Sequence, residues 1–213
     1  MNKPNNEYEM LFGQCYELIQ SALRCYVQSG NRVLDLGINN GNLEMHLEAE
    51  AIDCKVIGVD TDAEALAKIA SLDLFLVDVK IVCADANEFV TGFTGEIDNV
   101  ILSATLHEIN DYENQAEYLR WFFGRMAEVL PSGGNVIVGD FYFPNDVTDE
   151  QYRSFKAFQL QAIAHADARE KFVNPELLTD IACECGFHVA KYDEIRAVKE
   201  LNRRYYTVVF EKK

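Results

Sequence analysis

The chain has 213 residues, of which 19 are basic and 35 acidic, a formal charge of −16. That length allows one domain with a substantial core, and a surface of that sign repels phosphate backbones, which counts against nucleic acid as a partner. The clustered basic residues, Arg203 and Arg204 with Lys212 and Lys213, are too few for a binding track. The opening MNKPNNEYEM lacks the apolar core of a secretory signal, and no run of about eighteen apolar residues is present to cross a bilayer. The expectation is a cytoplasmic protein with no membrane attachment. The closest pair of the six cysteines, Cys183 and Cys185, is one residue apart, which is poor spacing for zinc. Reduced core thiols and no metal site are expected.

Residues 7–29 have the period of an amphipathic helix. Beyond them, short β-branched runs alternate with segments of helical period, the pattern of strands joined by crossover helices into a parallel sheet. Strands are predicted at 32–37, 55–60, 79–85, 97–104 and 135–141, with helices near 42–52, 62–74, 86–91 and 113–130. In the last of these helices Ala116, Leu119, Phe123, Met126 and Leu130 recur at helical spacing, and PSGG stops it.

After the fifth strand the rhythm changes. Residues 142–173 read as a polar and aromatic insertion, partly helical, with Tyr152, Phe155 and Phe158 on one helical face. Such a stripe serves either as core or as the inner face of a pocket cover. A helix near 175–185 ends at Gly186, and HVAKYDEI and RYYTVVFEK lie close enough in sequence to pair antiparallel at one sheet edge. Residues 1–213 thus form a single domain. Residues 1–30, with Tyr8, Phe12 and Tyr16, and the insertion, with Tyr142, His165 and Arg169, are expected to close a substrate chamber.

In an open parallel sheet, ligands bind outside the carboxyl ends of the strands. Four of the five leading strands end in or near a carboxylate: Asp35, Asp60, Asp85 and Asp140. Each taken singly reads as a helix cap or turn former. The stretch VLDLGINNGN, residues 33–42, adds a permissive elbow at Gly37, Asn39 and Gly41. Glycine lets another molecule approach the main chain, and asparagine tolerates left-handed turns. Asp60 follows Gly37 by 23 residues, a separation at which a carboxylate accepts the hydroxyls of a ribose. A dinucleotide fingerprint is not completed, since positions 42 and 43 hold no glycine, and no P-loop lysine motif occurs.

VLDLGINNGN, VIGVDTD, CADANEF and IDNVILSATLHEI, in that order and followed by two closely spaced terminal strands, resemble the class I S-adenosylmethionine-dependent methyltransferases across residues 30–213. The resemblance implies an α/β fold: a Rossmann-like, doubly wound seven-stranded sheet, mostly parallel with an antiparallel last strand and helices on both faces. S-adenosyl-L-methionine is the implied cofactor. By position, Gly37, Asn39 and Gly41 would approach its methionine portion, and Asp35 would support the loop and the amino group. Asp60, with Thr61 beside it, would bind the ribose hydroxyls. Asp85 and Ala86 would face the adenine, and Ser103 with Ala104 would line the reactive side. Asn39 stands where the family usually has its middle glycine.

Methyl transfer is a direct displacement in which positioning supplies much of the acceleration, and a hydroxyl acceptor also benefits from a base. His107 has a near-neutral intrinsic pKa and is the best general-base candidate, its plainer role being to pack at the mouth of the sheet. Glu108 would hold an ammonium-bearing substrate or cap the following turn. The expected reaction is methylation of a small molecule at N or O. A protein or tRNA acceptor, or a non-catalytic nucleoside-binding role, is the alternative, and a homodimer is compatible with the sequence.

Overall fold

A computed structural model describes residues 6–162, 171–198 and 203–213. In chain order its elements are α1 (Asn6–Tyr26), β1 (Arg32–Leu36), α2 (Asn42–Ala49), β2 (Cys54–Asp60), α3 (Ala63–Ile69), β3 (Val77–Cys83), α4 (Ala86–Gly92), β4 (Asn99–Ser103), α5 (Leu106–Ile109), α6 (Gln115–Val129), β5 (Asn135–Tyr142), α7 (Asp149–Ala162), α8 (Pro175–Glu184), β6 (Phe187–Val198) and β7 (Arg203–Lys212). The seven strands form one sheet in the order β3-β2-β1-β4-β5-β7-β6. β1 to β5 run parallel, and β7 inserts antiparallel between β5 and β6. This is the expected Rossmann-like doubly wound sheet. Strand order reverses between β1 and β4, and a crevice opens at such a point.

Side chains on a strand alternate between faces, and both faces of the central strands are buried. Leu34, Leu36, Val100, Leu102, Val136, Val138, Val208 and Phe210 pack on one side with α4, α6 and α8. Val33, Ile101, Ile137 and Val209 pack on the other with α1, α2 and α3. A central parallel strand therefore reads as a continuous apolar run, which explains why these segments are legible in sequence.

The ends of elements differ from expectation for local reasons. α3 stops at Ile69 rather than near residue 74, because Ser71 Oγ and the Ser71 N–H both turn back to the Lys68 carbonyl. The segment that follows is held by Glu48, whose Oε2 accepts from the N–H groups of Phe75, Leu76 and Val77 at 3.0, 2.9 and 3.1 Å. β3 ends at Cys83 because Asp85 is already the N-cap of α4. The short α5 has no apolar period of its own and was not anticipated.

The C-terminal basic residues are engaged within the fold. Arg203 is buried with its guanidinium 3.8 Å from the Phe141 ring centroid, Arg204 pairs with Glu194 at 2.5 Å, and Lys212 Nζ donates to the carbonyls of Ala127 and Leu130 at the end of α6. All six cysteines are free thiols, but only Cys15 and Cys54 are buried, so the expected core role holds for two of them. Among the described residues no helix is long and apolar enough to cross a membrane.

Tyr152 packs edge-on against Phe143 in a small cluster with Phe141, Val147 and Phe172. That part of the aromatic stripe is core. The side chains of Tyr8, Phe12, Phe155, Phe158, His165 and Arg169 lie outside the described residues.

Phe123 is fully buried, with the rings of Phe122, Phe187 and Phe210 at 5.6, 5.4 and 5.3 Å. Phe123→Ala is expected to lower the unfolding free energy by about 3–5 kcal/mol in denaturant titration while the ligand pocket retains its affinity.

Candidate active site

β1 ends where three residues take left-handed backbone angles: Gly37 at φ 82°, Asn39 at 52° and Gly41 at 80°. A Cβ on Gly37 would collide with the side chain of Thr105, and one on Gly41 would fall 2.8 Å from Leu72 Cδ1. Gly37 therefore demands glycine on steric as well as conformational grounds, and Gly41 chiefly on conformational ones, since the Leu72 side-chain tip can move aside. Asn39 adopts the same region at modest cost, as asparagine does, and turns its N–H to Asp60 Oδ2 at 2.8 Å. Asp60 Oδ1 accepts from the Asp62 N–H at 2.9 Å. One carboxylate thus ties the elbow to the start of α3, and each oxygen keeps a further acceptor direction open.

A cavity of 670 Å³ lies over the carboxyl ends of β1 to β4, within the usual range for small-ligand sites. It gathers Asp35, Gly37, Asn39, Asp60, Thr61, Asp85, Ala86, Ser103, Ala104 and Glu108 in its lining. Gly41 does not line it; it stands at the N-cap of α2. Asp85 Oδ1 also accepts from the N–H groups of Asn87 and Glu88, so the cap role and the pocket position coincide in one residue. Ala104 is held at φ 53° with its N–H on the Gly139 carbonyl at 2.7 Å. A left-handed alanine is strained, and strain of this kind collects at functional sites.

Tyr16, from α1, forms part of the wall and accepts from Asn42 Nδ2 at 3.3 Å. Of the expected substrate-chamber segments, α1 therefore reaches the cavity. None of the described residues of 142–173 lines it, and that segment meets the site through Lys171. Sequence reading missed Asn42, Thr105 and Ile109 in the lining. All three lie inside motifs already noted, Asn42 in VLDLGINNGN and Thr105 and Ile109 in IDNVILSATLHEI, which was the available signal.

Two acidic side chains lie beneath the cavity. Asp35 shares the β1 face of Val33 and looks toward α1 and α2, where Glu44 stands on the buried side of α2. Burial first, then the charge and hydrogen bond of Glu44, raises the Asp35 pKa well above the carboxylate range. Burial likewise pushes Glu44 up to about 7.

At the rim the charges are arranged differently. His107 Nδ1 lies 2.7 Å from Asp140 Oδ1, Nε2 lies 3.4 Å from Glu108 Oε1, and the ring stacks on Phe172 with centroids 5.1 Å apart. Burial pushes the imidazole pKa down, but the charge and hydrogen bond of Asp140, with those of Glu108, outweigh it and raise the value to about 10. His107 is then an imidazolium at neutral pH, and it does not line the cavity. The free neutral base expected from the sequence becomes a cation once Asp140 stands beside it. Glu108 lines the cavity and is held by His107 and by Lys171 Nζ at 2.9 Å. The hydrogen bond from His107, then that from Lys171, keeps its pKa at about 2.

The pieces fit a nucleoside that carries a cationic amino-acid tail: a bare backbone elbow, a cavity-lining carboxylate at Asp60, and an orphaned carboxyl oxygen of Asp35 at the cavity floor. A seven-stranded sheet with this strand order and this elbow defines the class I S-adenosylmethionine-dependent methyltransferase architecture. A family model described as "Methyltransferase domain" matches residues 27–203, and the chain belongs to that family.

Solved structures agree in fold. The cyclopropane synthase MmaA2 from Mycobacterium tuberculosis superposes with a TM-score of 0.68 at 14% identity, covering 92% of this chain and 84% of that one. A SAM-dependent methyltransferase from Methanosarcina mazei gives 0.61 at 15%, covering 90% and 96%. The Haemonchus contortus phosphoethanolamine N-methyltransferase 2, bound to phosphomonomethylethanolamine and S-adenosylhomocysteine, gives 0.64 at 16%, covering 97% and 56%. A search of curated proteins finds no match.

Gly37→Ala is expected to cost about 1–2 kcal/mol for the left-handed alanine alone, and to weaken S-adenosylhomocysteine binding by about tenfold or more, as read by calorimetry. Asp140→Asn tests the imidazolium. A raised folded pKa contributes stability that is fully present below pH 6.5 and is lost as pH rises through about 10. The variant should therefore be less stable than the wild type by about 3–5 kcal/mol at pH 6, and the gap should narrow toward pH 10 in thermal melts.

Proposed function

We propose that the protein methylates a small molecule at nitrogen or oxygen, with nitrogen preferred, and that Glu108 is the side chain that orients the acceptor. In this reading Asp60 and Thr61 receive the ribose, Asp85 and Ala86 the base, and Asp35 with the elbow the methionine tail. S-adenosylmethionine supplies an electrophilic methyl group on sulfur. Tyr16, Asn42, Thr105, Glu108 and Ile109 bound the remainder of the cavity, a space suited to a small acceptor.

The observation that carries the preference for nitrogen is the state of the two candidate bases. His107 is protonated across neutral pH, and Glu108, with a pKa of about 2, is too weak a base to draw a proton from a hydroxyl. A neutral amine already has its lone pair and needs only to be aligned. Glu108 accepts hydrogen bonds as a carboxylate, so it can take an N–H from that amine. His107 and Lys171 position Glu108.

The test is release of S-adenosylhomocysteine from S-adenosylmethionine across panels of small amines, small alcohols and phenols, a protein extract and tRNA. Turnover on small amines is the expected result, and turnover confined to protein or tRNA would sink the proposal. Glu108→Gln should lower kcat/KM for the best amine by about 10–100-fold, the worth of one charged hydrogen bond, with cofactor affinity unchanged. An unaltered kcat/KM would remove Glu108 from the acceptor site.

A further inference from the structure

Asp35 and Glu44 meet under the cavity floor, 1% and 0% exposed. No hydrogen-bond donor among the described residues reaches Asp35 Oδ1 or either oxygen of Glu44. Asp35 faces the cavity, whereas Glu44 stands behind it in the first turn of α2. The titratable groups facing the pair from neighbouring elements are Tyr16 of α1 and Asp60 and Cys54 of β2. None of the three is a cation. Two bare carboxylates in such a place repel each other and lack donors, and one shared proton supplies what both are missing.

We propose that Glu44 is a positioning residue for the cofactor: it shares one proton with Asp35 in the free protein and gives it up when a cationic nitrogen reaches Asp35. The step breaks one O–H bond, the proton passes to water, and the pair is left ionised around the incoming cation. An uncharged floor avoids two buried charges while the cavity is open, and an anionic floor grips the ligand once it arrives. Binding is thereby coupled to proton release. This goes beyond the acceptor reading and concerns only the cofactor's half of the cavity; it rests on the proposed placement of the methionine tail at Asp35.

The cofactor's own chemistry separates the causes. S-adenosylmethionine and S-adenosylhomocysteine both carry an ammonium group, only the former carries a sulfonium, and 5′-methylthioadenosine carries neither. Calorimetry of each ligand at pH 7, in buffers of different ionisation enthalpy, counts the protons exchanged. S-adenosylhomocysteine should release a substantial fraction of one proton per site from the wild type and 5′-methylthioadenosine none, and the affinity for the former should rise by up to about tenfold per pH unit below the titration of the pair.

Glu44→Gln keeps a donor for Asp35 and should bind S-adenosylhomocysteine with no proton release and a flat pH profile. Asp35→Asn makes the same comparison if the glutamine variant does not fold. Binding by the wild type without proton release, release that survives in the variant, or equal release by 5′-methylthioadenosine overturns the proposal.

The free protein gives a second readout. A glutamate whose folded pKa is raised to about 7 contributes stability that is present below its ordinary pKa and is lost as pH rises through 7. The melting temperature of the wild type should therefore fall relative to Glu44→Gln between pH 5 and 8. A constant difference would contradict a shared proton.

Discussion

The hydrogen bond from the Asn39 N–H to Asp60 is the contact on which the site depends. The chain leaves β1 through three left-handed residues, and the Gly37 and Ile38 N–H groups tie its first step to the Val59 carbonyl of the neighbouring strand. Asp60 extends that hold to Asn39 and also fixes the entry to α3 through Asp62. Thr105, from the loop after β4, packs where a Gly37 side chain would be. The elbow is thus clamped from the β2 side and the β4 side at once, and the cavity lies over those same strand ends.

The protein handles buried charge in two ways within one site. At the rim, Asp140 and Glu108 are matched by His107 and Lys171, so acids and bases alternate and Glu108 keeps its charge. At the floor, Asp35 and Glu44 have only each other and raise their proton affinity instead. Desolvation is common to both places; what differs is whether a cation is within reach. The rim is consequently set at neutral pH, whereas the floor stands ready to change charge with its ligand.

Much of the architecture was legible because parallel strands buried on both faces must be apolar along their whole length, and the helices between them must show one apolar stripe. VLDLG, KVIGVD and NVIVGDF carry that signal without help from the rest of the chain. Element ends were less legible, as at α3, since side chains such as Ser71 and Glu48 decide them by capturing backbone groups. The insertion at 142–173 was read as one unit, yet Tyr152 belongs to a small core cluster and Lys171 to the rim. A period shows that residues share a face, but it carries no information about what that face meets.

The sequence by itself determined the class of fold, the elbow and the carboxylates at the strand ends, because those follow from local backbone freedom and from spacing along the chain. Tertiary structure alone decided the protonation of the site. Asp140 follows His107 by 33 positions and makes it a cation, and Glu44 becomes a partner of Asp35 only when α2 folds back on β1. Charge states depend on distance and dielectric, and both come into being only when separate elements are packed together.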